Sequence, residues 1–206
     1  MNSGGPTVVK LGGSFAYSPD LKNWLAAIAR CAGRVVIVPG GGPFADQVRS
    51  AQAHMGFDNR AAHRMALLAM EQYGCAIKSL HEAVSLADSP DAIRRGLVSG
   101  QIPVWLPSHM ALDASNIPQS WDVTSDSLAA WLAGKIGAER LLLVKHVELE
   151  NRTACVPDLV VHDIVDKAFA HFLAASGVPA FILGPKDHRA VGRALSGKLV
   201  GVRIVV

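Results

Sequence analysis

The sequence has 206 residues, of which 50% are apolar, 18% are charged and 6% are aromatic, and its formal net charge is +3. A chain of this length buries roughly 70% of its unfolded surface, so a core can form without disulfides or metals. The composition predicts one globular domain over residues 1–206 and excludes a solenoid, collagen or a disordered linker. No apolar run approaches the roughly 20 residues of a membrane span, and the first residues lack a signal-peptide layout. We therefore expect a cytoplasmic protein without a membrane partner.

The charged residues and the cysteines exclude two further classes of protein. Lys and Arg, 20 in total, are scattered singly and do not form the basic stripe that a nucleic-acid interface needs, so we expect no nucleic-acid partner. Cys31, Cys75 and Cys155 have no CxxC spacing, and the eight histidines contain no HExxH pattern. The sequence therefore predicts reduced thiols and no metal ion bound directly by protein side chains.

Short runs of Val, Ile and Leu alternate with stretches of helical periodicity in the first half of the chain, which is typical of βαβ units. This pattern predicts strands at residues 7–11, 34–38 and 102–106, and helices at residues 19–33, from Pro43 onward, at 59–73 and at 90–98. Residues 108–122 form a long polar loop, which we interpret as a lid over a substrate. Trp105 and Trp121 flank this lid, where a flat ring could stack on them, although core packing is the simpler role.

The second half of the chain continues the alternation. It predicts helices from the capping residue Thr124 to 137, at 163–176 and at 187–195, and strands at 140–145, 178–183 and 199–206. Buried strands joined by helices form mostly parallel sheets that are covered on both faces. The expected fold is therefore α/β, a three-layer αβα sandwich with a mostly parallel central sheet.

Polar and glycine residues follow the predicted strands at their carboxyl ends, where open α/β sheets bind ligands. Gly12, Gly13 and Ser14 follow the first strand, and Gly40, Gly41 and Gly42 follow the second. Lys10 and Lys145 lie at strand ends, and Asp126 lies at a helix start. Glycine amides, a helix N-terminus and lysines together suit a polyphosphate. The alternative for each glycine turn is a sharp reversal of the chain without a ligand.

Two familiar phosphate-binding patterns fit only in part. Residues 40–45 match GxGxxG/A, but no acidic residue follows a strand about 20 positions later, which disfavours a Rossmann dehydrogenase. Residues 192–198 match GxxxxGK, but Leu199 stands where a Walker loop requires Ser or Thr. We reject both patterns.

Four segments resemble those of the amino acid kinase family, in the family's order and over nearly the whole chain. The segments are VVKLGGSF at 8–15, VVIVPGGGPFADQV at 35–48, TSDSLAAWLA at 124–133 and HDIVDK at 162–167, the last before an alanine-rich helix. The family's Gly-Gly-Met before the final lysine is absent here, as is its Thr-Asp-Val-Asp-Gly after the fourth main strand.

The resemblance implies a kinase that transfers the γ-phosphoryl group of ATP, with Mg²⁺ carried by the ATP phosphates. Lys10 and Lys167 would be catalytic and flank the phosphoryl group, and Asp126 would orient these lysines. A phosphate or carboxylate acceptor is already ionised at pH 7, so no general base is required. The family also implies a homodimer or higher homo-oligomer. Its ATP and phosphate contacts carry over to Gly12, Gly13, Ser14, Gly41, Gly42 and Lys145.

Residues 59–74 resemble the acceptor-binding segment of the family's uridylate kinases, and look most like that of its small methanofuran-biosynthesis kinases, which act on aminomethylfuran-methanol phosphate. His63 and Arg64 would receive an anionic acceptor, and Asp122 an aminomethyl group. The alternative for His63 is an ordinary solvated helix histidine, and the alternative for Asp122 is a cap of the helix that begins at Thr124. The predicted acceptor contacts are Gly40, Gly41, His63, Arg64, Asp122 and Ser125.

Other functions stay open at this point. One is a uridylate kinase or another phosphate-monoester or carboxylate kinase. The other is a non-catalytic storage or regulatory protein that binds nucleotide.

Overall fold

The computed structural model describes residues 4–195, 198 and 200–206, without the side chain of Leu195. Its strands join in one eight-stranded sheet of order β3-β4-β2-β1-β5-β7-β8-β6. Neighbouring strands are parallel except for the antiparallel pair β7 and β8. The strands are β1 (Thr7–Leu11), β2 (Val35–Pro39), β3 (Val84–Ala87), β4 (Ile102–Trp105), β5 (Arg140–Val144), β6 (Thr153–Cys155), β7 (Ala180–Leu183) and β8 (Val202–Val205).

Helices cover both faces of this sheet. Alternate residues of a strand point to opposite faces, and Val8 and Val9 of β1 accordingly belong to separate apolar clusters. This arrangement confirms the three-layer αβα sandwich. The helices are α1 (Asp20–Ala29), α2 (Gly42–Met55), α3 (Asn59–Ser79), α4 (Pro90–Val98), α5 (Ser108–Leu112), α6 (Ser125–Lys135), α7 (Val156–Val161), α8 (Phe169–Ser176) and α9 (Val191–Leu195), and Gly13–Tyr17 and Pro185–Ala190 are 3₁₀ helices.

The carboxyl ends of the three central strands lie level with one another. Leu11 of β1 is paired in register with Pro39 of β2 and with Val144 of β5. Helix α6 begins at the same edge, because it belongs to the crossover that returns the chain from β4 to the start of β5. The register therefore brings the ends of β1, β2 and β5 and the N-terminus of α6 together.

Helix α6 is the most enclosed helix of this edge, because residues 125–133 are all buried. A helix that is apolar on every side packs within a protein rather than on its surface, and α6 packs between β1 and α8. No helix in the described part of the chain is long and apolar enough to cross a bilayer.

Several predicted boundaries were wrong. The helix expected at 163–176 begins only at Phe169, after an irregular stretch in which Asp163 has a φ of 53°. The helix at 187–195 is a 3₁₀ helix followed by α9. The closing strand spans Val202–Val205, while residue 199 of the predicted strand and residues 196 and 197 of the GxxxxGK pattern lie outside the described residues. The short strands β3 and β6 were missed because their exposed positions interrupt the apolar pattern.

The predicted lid is partly a packed structure. Residues 108–112 form α5, and Ile117 is buried in the core. Trp105 is fully buried, and its ring stacks on Trp131 with 6.0 Å between centroids. Core packing is therefore the role of Trp105, whereas Trp121 at the other end of the predicted lid lies at a cavity.

Candidate functional site

Three charged side chains form a buried cluster at the carboxyl edge of the sheet. Lys10 Nζ lies 3.0 Å from Asp126 Oδ1, and Lys145 Nζ lies 2.6 Å from Asp126 Oδ2. The exposed fractions of the three side chains are 5% for Lys10, 6% for Asp126 and 14% for Lys145. The strand β1, the start of α6 and the residue after β5 each contribute one group. The level ends of these elements explain why the groups meet.

The cluster carries more positive than negative charge. Burial alone would raise the pKa of Asp126, but the charges and hydrogen bonds of Lys10 and Lys145 outweigh burial and hold that pKa below its ordinary value. Burial lowers the pKa of Lys145 to about 8, although Asp126 opposes this shift. Two ammonium groups therefore share one carboxylate at neutral pH, which leaves a positive field for a bound anion.

The loops after β1 and β2 touch through their backbones. A Cβ on Gly13 would lie 2.2 Å from Gly42 N, and a Cβ on Gly40 would lie 2.4 Å from Gly13 N. Gly42 also has a φ of 53°, in the left-handed region that favours glycine. Because α2 begins at Gly42, the amides of Gly42 and Phe44 have no acceptor within the helix, and the Gly42 nitrogen lies at this junction. Pro43 has no N–H, and Ala45 N already donates to Gly41 O at 3.2 Å. The close approach thus requires glycine and leaves amide donors beside the buried cluster.

Some of the predicted phosphate contacts are already engaged. Gly12 N donates to Val144 O at 3.1 Å, and Gly40 N donates to Leu11 O at 2.9 Å. These two amides fasten the loops to the strands, so a ligand could use neither without breaking such a bond. Ser14 is exposed. The predicted contacts through Gly13, Gly41 and Gly42 stay predictions that this geometry allows.

A cavity of about 170 Å³ lies beside the cluster, and we call it the helix cavity. It is enclosed by α2, α3 and the start of α6, and most of its wall is apolar. Its lining residues are Gly41, Ala45, Arg49, His63, Ala66, Leu67, Met70, Trp121, Val123, Thr124, Ser125 and Leu128.

His63 is a buried polar side chain of this wall. It is only 3% exposed, and its Nε2 has no hydrogen-bond partner among the described residues. Burial lowers the pKa of His63, although a hydrogen bond with the backbone of Ser120 opposes the shift, so the imidazole is neutral at pH 7. The alternative of a solvated helix histidine is therefore wrong.

Arg49 and Trp121 form the polar rim of the helix cavity. The Arg49 guanidinium carbon lies 4.3 Å from the Trp121 ring centroid, which is a cation–π contact. Trp121 Nε1 donates to Gln52 Oε1 at 2.7 Å and thereby fixes the ring. Arg49 was not among the predicted site residues, although its position four residues after Ala45 places it on the cavity face of α2.

Two predicted acceptor contacts lie away from this wall. Arg64 is exposed and is not among the lining residues. Asp122 is 58% exposed, and its Oδ1 lies 3.4 Å from Nζ of Lys167, which is itself 78% exposed. Asp126 therefore orients Lys10 and Lys145, whereas we had expected Lys10 and Lys167. The catalytic role of Lys167 stays a prediction.

The N-terminal cap of α6 differs from both expectations, which were a cap by Thr124 or by Asp122. The side chain of Thr124 accepts no backbone hydrogen bond of the helix, and Asp122 does not cap it. Instead, the Asp166 carboxylate accepts hydrogen bonds from Thr124 and Ser127. Sequence reasoning missed Asp166 because it lies 42 positions after Thr124.

A second cavity of about 210 Å³ lies at the ends of β5 and β7, and we call it the loop cavity. Lys186 Nζ and Glu148 Oε1 lie 3.1 Å apart on its exposed rim. Val147, two positions after Lys145, belongs to its wall, but the three side chains of the buried cluster do not line it. Its lining residues are Val147, Glu148, Leu149, Ile182, Gly184, Lys186, Asp187 and Val202.

Within the described residues, no group of three or more His, Cys, Asp and Glu side chains is placed to hold a metal ion. The carboxylate of the buried cluster is already shared by two lysines.

Comparison with known proteins identifies the family to which this chain belongs. Residues 5–149 match the model of the amino acid kinase family, which is more than two thirds of the chain. The chain belongs to the amino acid kinase family. The family match includes Lys10, Asp126 and Lys145 but ends before Asp166 and Lys167.

Individual members of the amino acid kinase family are also similar to this chain. It is 28% identical over 145 residues to (5-(aminomethyl)furan-3-yl)methyl phosphate kinase of Methanocaldococcus jannaschii. The match covers 68% of this chain and 66% of that protein, just under two thirds of its length. The uridylate kinase of Archaeoglobus fulgidus shares the fold with a TM-score of 0.74 at 17% identity, over 97% of this chain and 100% of that one. The UMP kinase of Ureaplasma parvum gives a TM-score of 0.72 at 14% identity, over 100% of this chain and 98% of that one.

Proposed function

We propose that this protein is an ATP-dependent kinase that transfers the γ-phosphoryl group of ATP to a phosphate monoester. The observation that carries this proposal is the buried cluster of Lys10, Asp126 and Lys145 at the carboxyl edge of the sheet, where Ser125 of the helix cavity and Val147 of the loop cavity are close to it in sequence. The transition state of phosphoryl transfer spreads negative charge over equatorial oxygens, so fixed positive groups stabilise it. A cluster with two ammonium groups and one carboxylate supplies such groups between two bound molecules.

Each cavity takes one substrate in this proposal. The loop cavity would hold the nucleotide and the helix cavity the acceptor, so that the γ-phosphoryl group lies against Lys10 and Lys145. The free amides at the start of α2 would bind phosphate oxygens. Mg²⁺, when bound to the ATP phosphates, neutralises part of their charge. No set of described protein side chains is placed to hold the ion independently.

The transfer needs no proton abstraction. The bond between the γ-phosphorus and the β–γ bridging oxygen breaks, and a phosphate oxygen of the acceptor forms the new bond. That oxygen is already ionised at pH 7, so no proton has to be removed from it. The products are ADP and a diphosphate ester.

The acceptor that we propose is aminomethylfuran-methanol phosphate or a close analogue. The similarity to the Methanocaldococcus jannaschii kinase supports it. The neutral His63 also supports it, because Nε2 has no partner and can accept a hydrogen bond from an amino group. The Arg49 guanidinium at the rim gives a positive group for the phosphate. The predicted partnership of Asp122 with the aminomethyl group stays a prediction.

Uridylate is the second candidate acceptor, and the fold shared with uridylate kinases favours it. A non-catalytic nucleotide-binding protein is the alternative outside enzymes. The predicted homodimer or higher homo-oligomer and the cytoplasmic location also stay predictions. Sedimentation velocity would measure the oligomeric state.

Turnover separates these possibilities. ADP release should be measured with ATP and Mg²⁺ against aminomethylfuran-methanol phosphate, UMP and a simple alkyl phosphate. We expect the furan phosphate to give the highest kcat/KM. Lys10→Ala should lower kcat by about 100-fold or more, whereas Lys22→Ala, an exposed lysine of α1, should leave kcat unchanged. A preference for UMP would support the second candidate. ATP binding without turnover of any acceptor would contradict the kinase.

A further inference from the structure

Asp166 lies in the irregular stretch before α8 and binds the start of α6. Its Oδ2 accepts hydrogen bonds from Thr124 N at 3.0 Å, from Thr124 Oγ1 at 2.8 Å and from Ser127 N at 3.0 Å. Its Oδ1 accepts a hydrogen bond from Ser127 Oγ. One carboxylate thus receives four hydrogen bonds from the first turn of a helix that is distant in sequence.

This carboxylate replaces the cap that a helix ordinarily carries itself. The first amides of a helix have no acceptor within it, and the N-cap side chain usually accepts from one of them. Thr124 makes no such bond, so Asp166 accepts from the Ser127 amide instead. A carboxylate at this end is also favourable to the helix dipole.

Asp166 is held there against an electrostatic cost. Burial raises its pKa, and the negative charge of Asp126 raises it further, while the hydrogen bonds from Ser127 and Thr124 oppose these effects. The carboxylates of Asp126 and Asp166 repel each other, so this arrangement is not the one that stability alone favours. A role of Asp166 in the geometry of the site accounts for the arrangement.

The fixed turn contains the residues that connect the helix cavity with the buried cluster. Thr124 and Ser125 line the cavity, and Asp126 orients Lys10 and Lys145. The hydrogen bonds of Asp166 hold Thr124 and Ser127, which stand on either side of Ser125 and Asp126. A shift of this turn would therefore move the acceptor wall and the carboxylate together.

We propose that Asp166 is a positioning residue that fixes the first turn of α6, and through it the contacts of Ser125 with the acceptor and of Asp126 with both lysines. The proposal rests on the proposed kinase function. It concerns a residue beyond the 5–149 range that the family model matches.

Asp166→Asn removes the charge and one acceptor oxygen at nearly constant volume. The matched control is Asp163→Asn, an exposed aspartate of the same stretch whose φ of 53° asparagine tolerates. We expect Asp166→Asn to lower kcat about 10-fold and to raise the acceptor KM about 5-fold, because small misplacements of reacting groups are costly. The ATP KM should stay within about twofold, since the loop cavity contains no residue of α6.

This division between the two KM values distinguishes positioning from a loss of folded protein. Fewer folded molecules would lower the measured kcat and leave both KM values unchanged. Kinetic constants of Asp166→Asn that equal those of the control would overturn the proposal. If Asp166→Asn does not fold, Ser127→Ala, which removes only one hydrogen bond of Asp166, should still lower kcat about threefold.

A second readout does not depend on activity. The amides of Thr124 and Ser127 donate to Asp166, so their hydrogen exchange should become about 10-fold faster in Asp166→Asn and stay unchanged in Asp163→Asn. Unchanged exchange in Asp166→Asn would overturn the proposal even in an active enzyme. Absence of turnover in the wild type would contradict the kinase function alone, because the exchange experiment would still test Asp166.

Discussion

The helix cavity includes Gly41 after β2, and the loop cavity includes residues after β5 and β7, so that β1 with Lys10 lies between these strands in the sheet. Different kinds of structure enclose the two cavities. The helix cavity is bounded by side chains of three helices, including the buried His63, and by the fixed ring of Trp121 in the loop before α6. The loop cavity is bounded by residues that follow β5 and β7, and its rim is the exposed pair of Lys186 and Glu148.

This difference predicts a division of tasks. Side chains held by packed helices keep one geometry and can discriminate between acceptors, since a pocket selects through the shape and polar groups that it presents. Exposed ion pairs contribute little to affinity. We therefore expect acceptor specificity to depend on individual side chains of the helix cavity, and nucleotide binding to tolerate changes at the rim of the loop cavity.

Asp126→Asn should have the largest effect, because the cluster serves both cavities. Removal of the carboxylate leaves two buried ammonium groups without a partner, and breaking a buried ion pair costs about 3–5 kcal/mol. Urea unfolding should show a loss of this size relative to wild type and to Asp163→Asn, and turnover should be lost with every acceptor. A loss of unfolding free energy below about 1 kcal/mol would contradict the role of Asp126 as the counterion of both lysines.

Gly13→Ala should act through the junction of the two glycine loops. The new Cβ would lie 2.2 Å from Gly42 N, so the loops must separate and the amides at the start of α2 must move. We expect kcat to fall about 100-fold. Gly56→Ala is the matched control, because Gly56 has a φ of 71° and open space for a Cβ. It should cost about 1 kcal/mol of stability and leave kcat unchanged. Equal kcat values for the two variants would show that the junction has no part in catalysis.

His63→Leu and Lys186→Ala test the division of tasks directly. His63→Leu retains the volume but removes the nitrogen that can accept a hydrogen bond, so the acceptor KM should rise about 10-fold with the ATP KM unchanged. Lys186→Ala removes an exposed ion pair, so the ATP KM should rise about twofold at most. Steady-state kinetics with each substrate varied in turn would measure both. The comparison of the two cavities fails if His63→Leu changes the ATP KM instead.

The pH profile tests the smallest effect. Burial lowers the pKa of Lys145 to about 8, so its positive charge is present below that pH and is lost as the pH rises through it. In the free enzyme kcat/KM should therefore fall above about pH 8. Lys145→Arg, which stays charged, should move this fall to higher pH even if it lowers kcat. A wild-type profile that is flat to pH 9.5 or so would contradict a charged Lys145 in catalysis.

The class of fold could be predicted from the sequence because the central strands give its clearest apolar patterns. β1, β2 and β5 are buried on both faces, so their apolar runs are continuous and easy to recognise. β3 and β6 lie at the two edges of the sheet, and their exposed positions break the pattern. The boundary of α8 was wrong because helical periodicity alone does not reveal the left-handed residue Asp163 that precedes it.

The candidate site was predictable where its residues lie at the end of a strand or at the start of a helix. Lys10, Asp126 and Lys145 could be found in this way, since strand ends and a helix start converge at one edge. Pairings between side chains were not predictable. Spacing in the sequence cannot show that Lys145 rather than Lys167 contacts Asp126, or that a carboxylate 39 residues after Ser127 binds the start of α6.

The contact between the two glycine loops separates what can be varied in this protein from what cannot. Gly13, Gly40 and Gly42 meet through main-chain atoms, so no side chain there can be exchanged to adjust the chemistry. About half of the wall of the helix cavity consists of side chains on α2 and α3, and their replacement leaves that junction intact. Redesign toward a new acceptor can therefore proceed through the helices, while the main-chain junction of the two glycine loops is left untouched.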